Sequence, residues 1–471
     1  MKNKLSRREF LGKCSAYTAG MTALSTFSMA GFTKKTKTFS RRKNLGKTRI
    51  KVVLAHPSSK EPCWPNIGYD FEANKAEFMK NLNKYCPDIE FHPVTARKDD
   101  DAVKILQSDP TVDGYIVYLS GCLWGNVPET IAGAGKPTVM VDNLFAGSGE
   151  FLTSYAKVRR EGFPVAAVSS SDFKDVAEAV CALDTIKMLK DSTVLVVGGK
   201  PDKNIEEFFG TKMIGVAFPE INEAYNAADK ATAQKWADQW MNAAAKIIEP
   251  SQADIVKSAI LYVAMTDLMK KYDAQAIAVN CLGGFYGGHM PAYPCLGFMQ
   301  LNNDGHVGAC EADQRSTITM LLMRYLVGRP GFISDPVIDT AKNQIIYAHC
   351  VAPTKVFGPE GPSNPFHIRS HSEDRKGACD RSLMPLGEMT TTIEFDVGRK
   401  QVIFHQGKTV ENVDLDLACR NKLAVEVQGD VYKLLNYWDQ WGWHRVTFYG
   451  DFKRQVYQIA QLLRFEIIEE A

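Results

Sequence analysis

The sequence predicts an α/β protein: two Rossmann-like parallel-sheet α/β domains followed by a β-rich, antiparallel barrel-like C-terminal domain. Three observations predict it. Between residues 49 and 344, short β-branched runs alternate with segments of helical period, and strand-helix-strand order at that spacing implies parallel sheets. From residue 345 the period shortens to two, with tight turns, as in an antiparallel sheet or small barrel. The length, 471 residues, suits several domains at roughly 100–200 residues each.

Residues 1–30 read as a twin-arginine signal peptide. Ser6-Arg7-Arg8-Glu9-Phe10-Leu11 precedes a modestly apolar stretch and a small-residue site at Ser28-Met29-Ala30, where cleavage is expected. The stretch from Cys14 to Phe32 is too rich in Ser, Thr and Gly for a membrane span of roughly 20 apolar residues. Residues 31–48 form a basic linker. The expected address is periplasmic, with the twin-arginine translocase as a transient partner. That route exports folded protein, so a metal would be acquired in the cytoplasm, where the cell sets which ion is offered.

The first α/β domain spans residues 49–172. "TRIKVVLAHP", "DIEFHPVTA", "VDGYIVYLSG", "KPTVMVDN" and "FPVAAVSSS" are its strands, with "GYDFEANKAEFMKNLNKY" and "DDDAVKILQS" as helices between them. Loops at residues 64–68, 120–124 and 143–145 follow strand ends and should line a cleft. Trp64 and Trp124 offer apolar ring faces there, although packing is the commoner role for a tryptophan.

The second α/β domain spans residues 173–344. "SSDFKDVAEAVCALDTIKMLKD" is the joining helix, "STVLVVGG" the opening strand, "TKMIGVAFPEINEAYNAAD" a return to the sheet, "ADIVKSAILYVAMTDLMKKY" a long helix and "AQAIAVNCLGG" a buried strand. Gly198-Gly199 lacks the full G-x-G-x-x-G, which sets a dinucleotide site aside. The segments "NCLGGFYGGHMPAYPC", "NDGHVGACEAD", "PGFISDP" and "AHCVAP" then place Glu311, Asp313, Asp335 and His349 among glycines, prolines and cysteines. Carboxylates and a histidine spread over such loops are the ligands a divalent cation needs. The competing reading is structural: Asp313 caps the helix "QRSTITMLLMRYL" and Glu311 is solvated.

The third domain spans residues 345–471. "NQIIYAHCV", "MTTTIEFDVGRKQVIFHQGKTV", with a turn at Gly398, and "KLAVEVQGD" are its strands, and "DFKRQVYQIAQLLRF" is a closing amphipathic helix. Residues 357–382 read as a long irregular loop, a length usual for lids. His367 and His371 in it are spaced as on a helix, but Pro365 argues against a helical metal pair. "YWDQWGWHRVTFYGDF" carries His444.

Composition excludes some classes. The chain has 56 basic and 54 acidic residues, a formal charge of +2, and no basic stripe interleaved with aromatics, so no nucleic-acid partner is expected. The eleven cysteines lack paired C-x-x-C spacing and read mostly as buried small side chains.

On "CEAD" opening a helix, the aspartate of "FISDP", "HC" of "AHCVAP", "LACRNK" and "GWHRVTFYGD", the chain resembles the L-fucose and L-arabinose isomerase family, especially the L-fucose isomerase-like branch. The resemblance implies Glu311, Asp335 and His444 as ligands of Mn2+ or another divalent cation, and Glu311 and Asp335 as the acid/base pair. It also implies that the long loop approaches the substrate, with His349, Arg369 and His371, beside Trp64 and Trp124, contacting a small carbohydrate. A homo-oligomer, trimer or hexamer, is implied as well.

Moving a hydrogen between C1 and C2 of a sugar requires ionising a very weak carbon acid. A cation chelating both oxygens stabilises the enediolate, while carboxylates carry the proton. Glu311 is assigned to the carbon and Asp335 to the oxygens, with the reverse open. Three classes therefore stand: an aldose–ketose isomerase, another metal-assisted carbohydrate enzyme such as an epimerase or lyase, and a non-catalytic periplasmic sugar-binding protein.

Overall fold

The structure, a computed structural model, describes residues 46–108 and 111–471. The twin-arginine motif, the cleavage site and nearly all of the linker lie outside the described residues.

Strands β1 (Thr48–Ala55), β2 (Ile89–Ala96), β3 (Gly114–Leu119), β4 (Thr138–Asp142) and β5 (Val165–Val168) form a parallel sheet in the order β2-β1-β3-β4-β5. Helices cover it, so both faces of β1 and β3 are dry and their runs are apolar without alternation: Val52, Val53, Ile116 and Val117 are fully buried. Asp70 starts the first of these helices by accepting the Ala73 N–H at 2.9 Å. The helix Ser148–Arg160, between β4 and β5, was not evident from the sequence because its polar and basic face breaks the apolar period.

The helix Phe173–Lys190, capped by Asp172, leads to the second sheet. Its strands are β6 (Thr193–Val197) and β7 (Lys212–Val216) and, after a two-residue strand β8 (Lys246–Ile247), β9 (Ala276–Val279) and β10 (Val307–Ala309). The order is β10-β9-β6-β7, all parallel. A capping box at Ser251 and Asp254 opens the long helix Gln252–Lys271.

The C-terminal region is a closed six-stranded antiparallel barrel. Strands β11 (Phe332–Asp339), β12 (Gln344–His349), β13 (Phe366–Arg369), β14 (Cys379–Ser382), β15 (Met389–Asp396), β16 (Gln401–Asn412), β17 (Asn421–Val427), β18 (Arg445–Tyr449) and β19 (Glu466–Glu469) follow one another. The barrel runs β15-β18-β11-β12-β17-β16 and closes by β16 pairing back to β15, with β19 added parallel to β16. Closure removes the free edges on which another chain could pair.

The barrel takes its first strand from Phe332, upstream of residue 345 where the alternation becomes visible. Pro330, Gly331 and Pro336 hide the period of β11. The stretch 357–382 is not wholly irregular, since β13 within it pairs with β14 on one side and with β8 on the other in a small three-stranded sheet. Its partner strand is two residues long and far away in sequence, so no local pattern announces it.

Candidate active site

The turn after β10 is the pivot of the site. Glu311 and Ala312 both sit at positive φ, 61° and 49°, conformations that cost a non-glycine residue roughly 1–3 kcal/mol unless the surroundings enforce them. Here the Ala312 N–H donates to the Val279 carbonyl at 2.9 Å, and the Glu311 N–H lies 3.4 Å from Cys281 Sγ. The chain then enters the helix Gln314–Val327, whose first turn Asp313 caps by accepting the Ser316 N–H at 3.1 Å.

Strand pairing supplies the remaining side chains. β11 lies between β12 and β18, with Asp335 opposite Ala348 and Ser334 opposite Arg445. Asp335, His349 at the end of β12 and His444 just before β18 therefore meet at one end of the barrel, against the Glu311 turn.

The distances are short. His444 Nε2 lies 3.2 Å from Asp335 Oδ1 and 3.8 Å from Glu311 Oε2, and His349 Nε2 lies 3.6 Å from Glu311 Oε1. The two imidazoles are 5.4 Å apart and steeply inclined. Both Nε2 atoms are buried without an aligned hydrogen-bond partner, although carboxylates surround them. Buried polar atoms are normally satisfied, so two such nitrogens facing carboxylates have the donor set of a cation site. Glu311, His349 and His444 each bring a ligand atom within 4.8 Å of the others.

Behind these groups stand partners that hold them. His444 Nδ1 is 2.8 Å from Asp313 Oδ2, so the carboxylate that caps the helix also orients the imidazole. Trp443 Nε1–H donates to Asp335 Oδ1 at 2.5 Å, and Cys419 Sγ is 3.8 Å from Asp335 Oδ2. His349 Nδ1 is 3.5 Å from Cys350 Sγ, which is 3.8 Å from Cys310 Sγ in a core that also buries Cys281, Cys295 and Cys379. All ten described cysteines are free thiols.

Burial by itself lowers the His444 pKa, but its hydrogen bond to Asp313 and its close contact with Asp335 prevail and hold it up at about 9. His349 is likewise held well above the ordinary range: burial opposes, and Cys350, Glu311 and Asp335 outweigh it. Burial raises Asp313 and Asp335, yet His444 keeps both below the usual carboxylate range.

Of the residues singled out from the sequence, Glu311, Asp335, His349 and His444 come together. Asp313 plays the capping role expected of it and adds the bond to His444, so the structural and chemical readings of "CEAD" coexist. Trp64 and Trp124 stand on the rim of the first sheet, 53% and 68% exposed, with Trp64 Nε1–H donating to the Phe145 carbonyl at 2.5 Å. No described contact joins them to Glu311. Arg369 is committed to Glu249 and Asp416. His371 is buried against Phe285 and Tyr293, 3.5 Å from Asp374. Sequence reasoning missed Trp443 and Cys419 as neighbours of Asp335. The adjacency of Trp443 to His444 was the available signal.

No family model matches the chain. Among curated proteins it is similar to the sulfoquinovose isomerase of Priestia aryabhattai, 24% identical over 294 residues, covering 60% of this chain and 65% of that protein. It is also similar to the sulfoquinovose isomerase of Clostridium sp. (strain MSTE9), 24% identical over 276 residues, covering 56% and 60%. A third, from Alkalicoccus urumqiensis, is 22% identical over 183 residues, 36% of this chain and 40% of that protein. The matches thus span less than two thirds of the relatives' own lengths, and each relative is named as an isomerase of a sugar.

Proposed function

We propose that this protein is a metal-assisted aldose–ketose isomerase acting on a small carbohydrate through an enediolate. The observation that carries the reading is the convergence of Glu311, Asp335, His349 and His444, with two buried imidazole nitrogens close to carboxylates but without an aligned hydrogen-bond partner. The names of the similar proteins point the same way.

Glu311, Asp335 and His444 would hold the cation, and His349 joins that set on its distance to Glu311. A bound divalent cation, Mn2+ for preference, polarises the sugar carbonyl and stabilises negative charge on the enediolate oxygens. Asp313 fixes the His444 ring so that Nε2 faces the carboxylates, as partners of metal-bound histidines generally do. Asp335 already accepts from Trp443 and lies beside His444, which suits it to the sugar oxygens. Glu311 has only the longer contacts to the two imidazoles and is free to take the proton from carbon.

Export through the twin-arginine route, a periplasmic address and assembly into a homo-oligomer belong to the same proposal. Cell fractionation of the full chain and of an Arg7→Lys, Arg8→Lys variant tests the first two, and light scattering the third. The decisive experiment is deuterium uptake at C2 in heavy water across a panel of aldoses and ketoses. Uptake by the wild type that is lost in Glu311→Gln supports the reading. A metal-free protein that exchanges at the full rate removes it.

A further inference from the structure

Cysteines crowd behind the carboxylate cluster. Five of the ten described ones, Cys281, Cys295, Cys310, Cys350 and Cys379, are buried in one core, each at the start or just past the end of a different helix or strand. A buried cysteine by itself is a small apolar filler, but a filler does not call for imidazoles turned onto its sulfur. His349 Nδ1 lies 3.5 Å from Cys350 Sγ, and His371 hydrogen-bonds the same sulfur. Cys310 Sγ is 3.8 Å from Cys350 Sγ, while Cys295 reaches Cys350 and Cys281 reaches Cys310. Cys379 turns away and donates to the Ser370 carbonyl at 3.3 Å.

These separations are those of a coordination sphere. Zinc sits about 2.3 Å from sulfur and about 2.0–2.1 Å from an imidazole nitrogen, so tetrahedral angles put two sulfur ligands about 3.8 Å apart and a sulfur and a nitrogen about 3.6 Å apart. Two thiols in plain contact would show the first distance alone. Cys310, Cys350 and His349 match both, and each brings a ligand atom within 4.8 Å of the other two. Cys281, Cys295 and His371, all buried, stand close enough to these sulfurs to supply a fourth ligand from within the core. A site enclosed in this way has no open position for substrate, as in structural zinc centres. Two thiol protons leave to solvent as the ion binds, and Zn2+ with two thiolates and a neutral imidazole carries no net charge, a form that a dry core tolerates.

We propose that Cys310, Cys350 and His349 hold a thiophilic cation, Zn2+ or Cu+, in a structural site next to the Glu311, Asp335 and His444 cluster. Ligand softness separates the two places: sulfur selects the thiophilic ion, whereas carboxylates suit a harder one. With Nδ1 on the thiophilic ion, the His349 Nε2–H is directed at Glu311 Oε1, 3.6 Å away, in a carboxylate–histidine–metal arrangement. His349 then serves the harder cation through Glu311, and the thiol core fixes one wall of the catalytic cluster. None of this depends on which reaction that cluster performs.

The test is elemental analysis of the full chain, produced in cells given Zn2+ or Cu+ separately, kept reduced and dialysed against EDTA to strip the carboxylate cluster. About one thiophilic ion per chain should survive in the wild type and in His444→Ala, and the better-retained metal names the occupant. Cys310→Ala and Cys350→Ala should each retain at least about tenfold less, since loss of a direct ligand exceeds loss of a supporting partner. Cys379→Ala removes a thiol from the same core and should keep the ion, which separates ligand loss from a loosened core. Should the ligand variants fail to fold, the wild type grown with Co2+ decides, because cobalt bound to thiolate shows a sulfur-to-metal charge-transfer band. A wild type that retains neither metal, retention undiminished in Cys310→Ala, loss of the ion in His444→Ala, cobalt without the band, or a Cys310–Cys350 disulfide in peptide mapping overturns the proposal.

Discussion

At the scale of single residues, Glu311 and Asp313 show how two acids on one turn divide the work. Glu311 faces the imidazoles, whereas Asp313 closes the helix and steadies His444 from behind. Glu311→Gln keeps the size of the side chain and should leave the fold intact while cutting C2-hydrogen exchange by at least about 100-fold, as loss of a proton-transfer group does. Circular dichroism and exchange together check it. Asp313→Ala should cost about 1 kcal/mol through the lost cap and about 10–100-fold in Mn2+ affinity through the freed imidazole. Asp313→Ser separates the two effects. It restores a capping oxygen, and with it the unfolding midpoint, without restoring the affinity measured by metal titration.

At the scale of elements, the site exists because one strand sits between two others. β11 pairs with β12 and β18, and that register sets Asp335 beside His349 and His444. The turn after β10 brings Glu311 to the same end through backbone held at positive φ. The β6–β7 end depends on glycine in the same way. Gly198→Ala combines φ +67° with a clash at Phe218 and should destabilise the protein by about 1–3 kcal/mol. A lower urea midpoint with an unchanged m-value is the expected signature.

At the scale of the whole molecule, two features tie distant parts together. Inside the barrel the fully buried Arg445 pairs with Glu470 at 3.0 Å, and His405 lies 2.8 Å from the same carboxylate and 2.5 Å from the Tyr347 hydroxyl. Burial alone would raise Glu470, but Arg445 and His405 hold its carboxyl below the usual range. A carboxyl depressed in the folded state stabilises above its unfolded pKa, about 4.3, and that contribution is lost as pH falls through the folded value. Glu470→Gln should therefore cost about 3–5 kcal/mol at pH 7 by leaving Arg445 unpaired, with the difference from wild type shrinking below about pH 4 in urea titrations. The second tie is the cluster of Glu311, Asp335, His349 and His444 proposed to hold a cation, whose residues come from both the second sheet and the barrel. Chelation should lower Tm, and Mn2+ at 100 times its Kd should return about 2.7 kcal/mol.

The sequence by itself determined the architecture and named four side chains, Glu311, Asp335, His349 and His444, that the fold brings together. Buried parallel strands must be apolar throughout and barrel strands must alternate, so "STVLVVGG" and "MTTTIEFDVGRKQVIFHQGKTV" disclosed their sheets directly. Glu311, Asp335 and His349 stood out as the residue types a cation takes among loop-forming glycines and prolines, whereas His444 was singled out only through the family resemblance. Only the tertiary structure decided that His349 lies beside Glu311, that Asp313 and Trp443 hold His444 and Asp335, and that Arg369 is taken up by Glu249. These are contacts between strands and turns far apart in the chain. Their geometry comes from sheet register and backbone conformation, which no local period encodes.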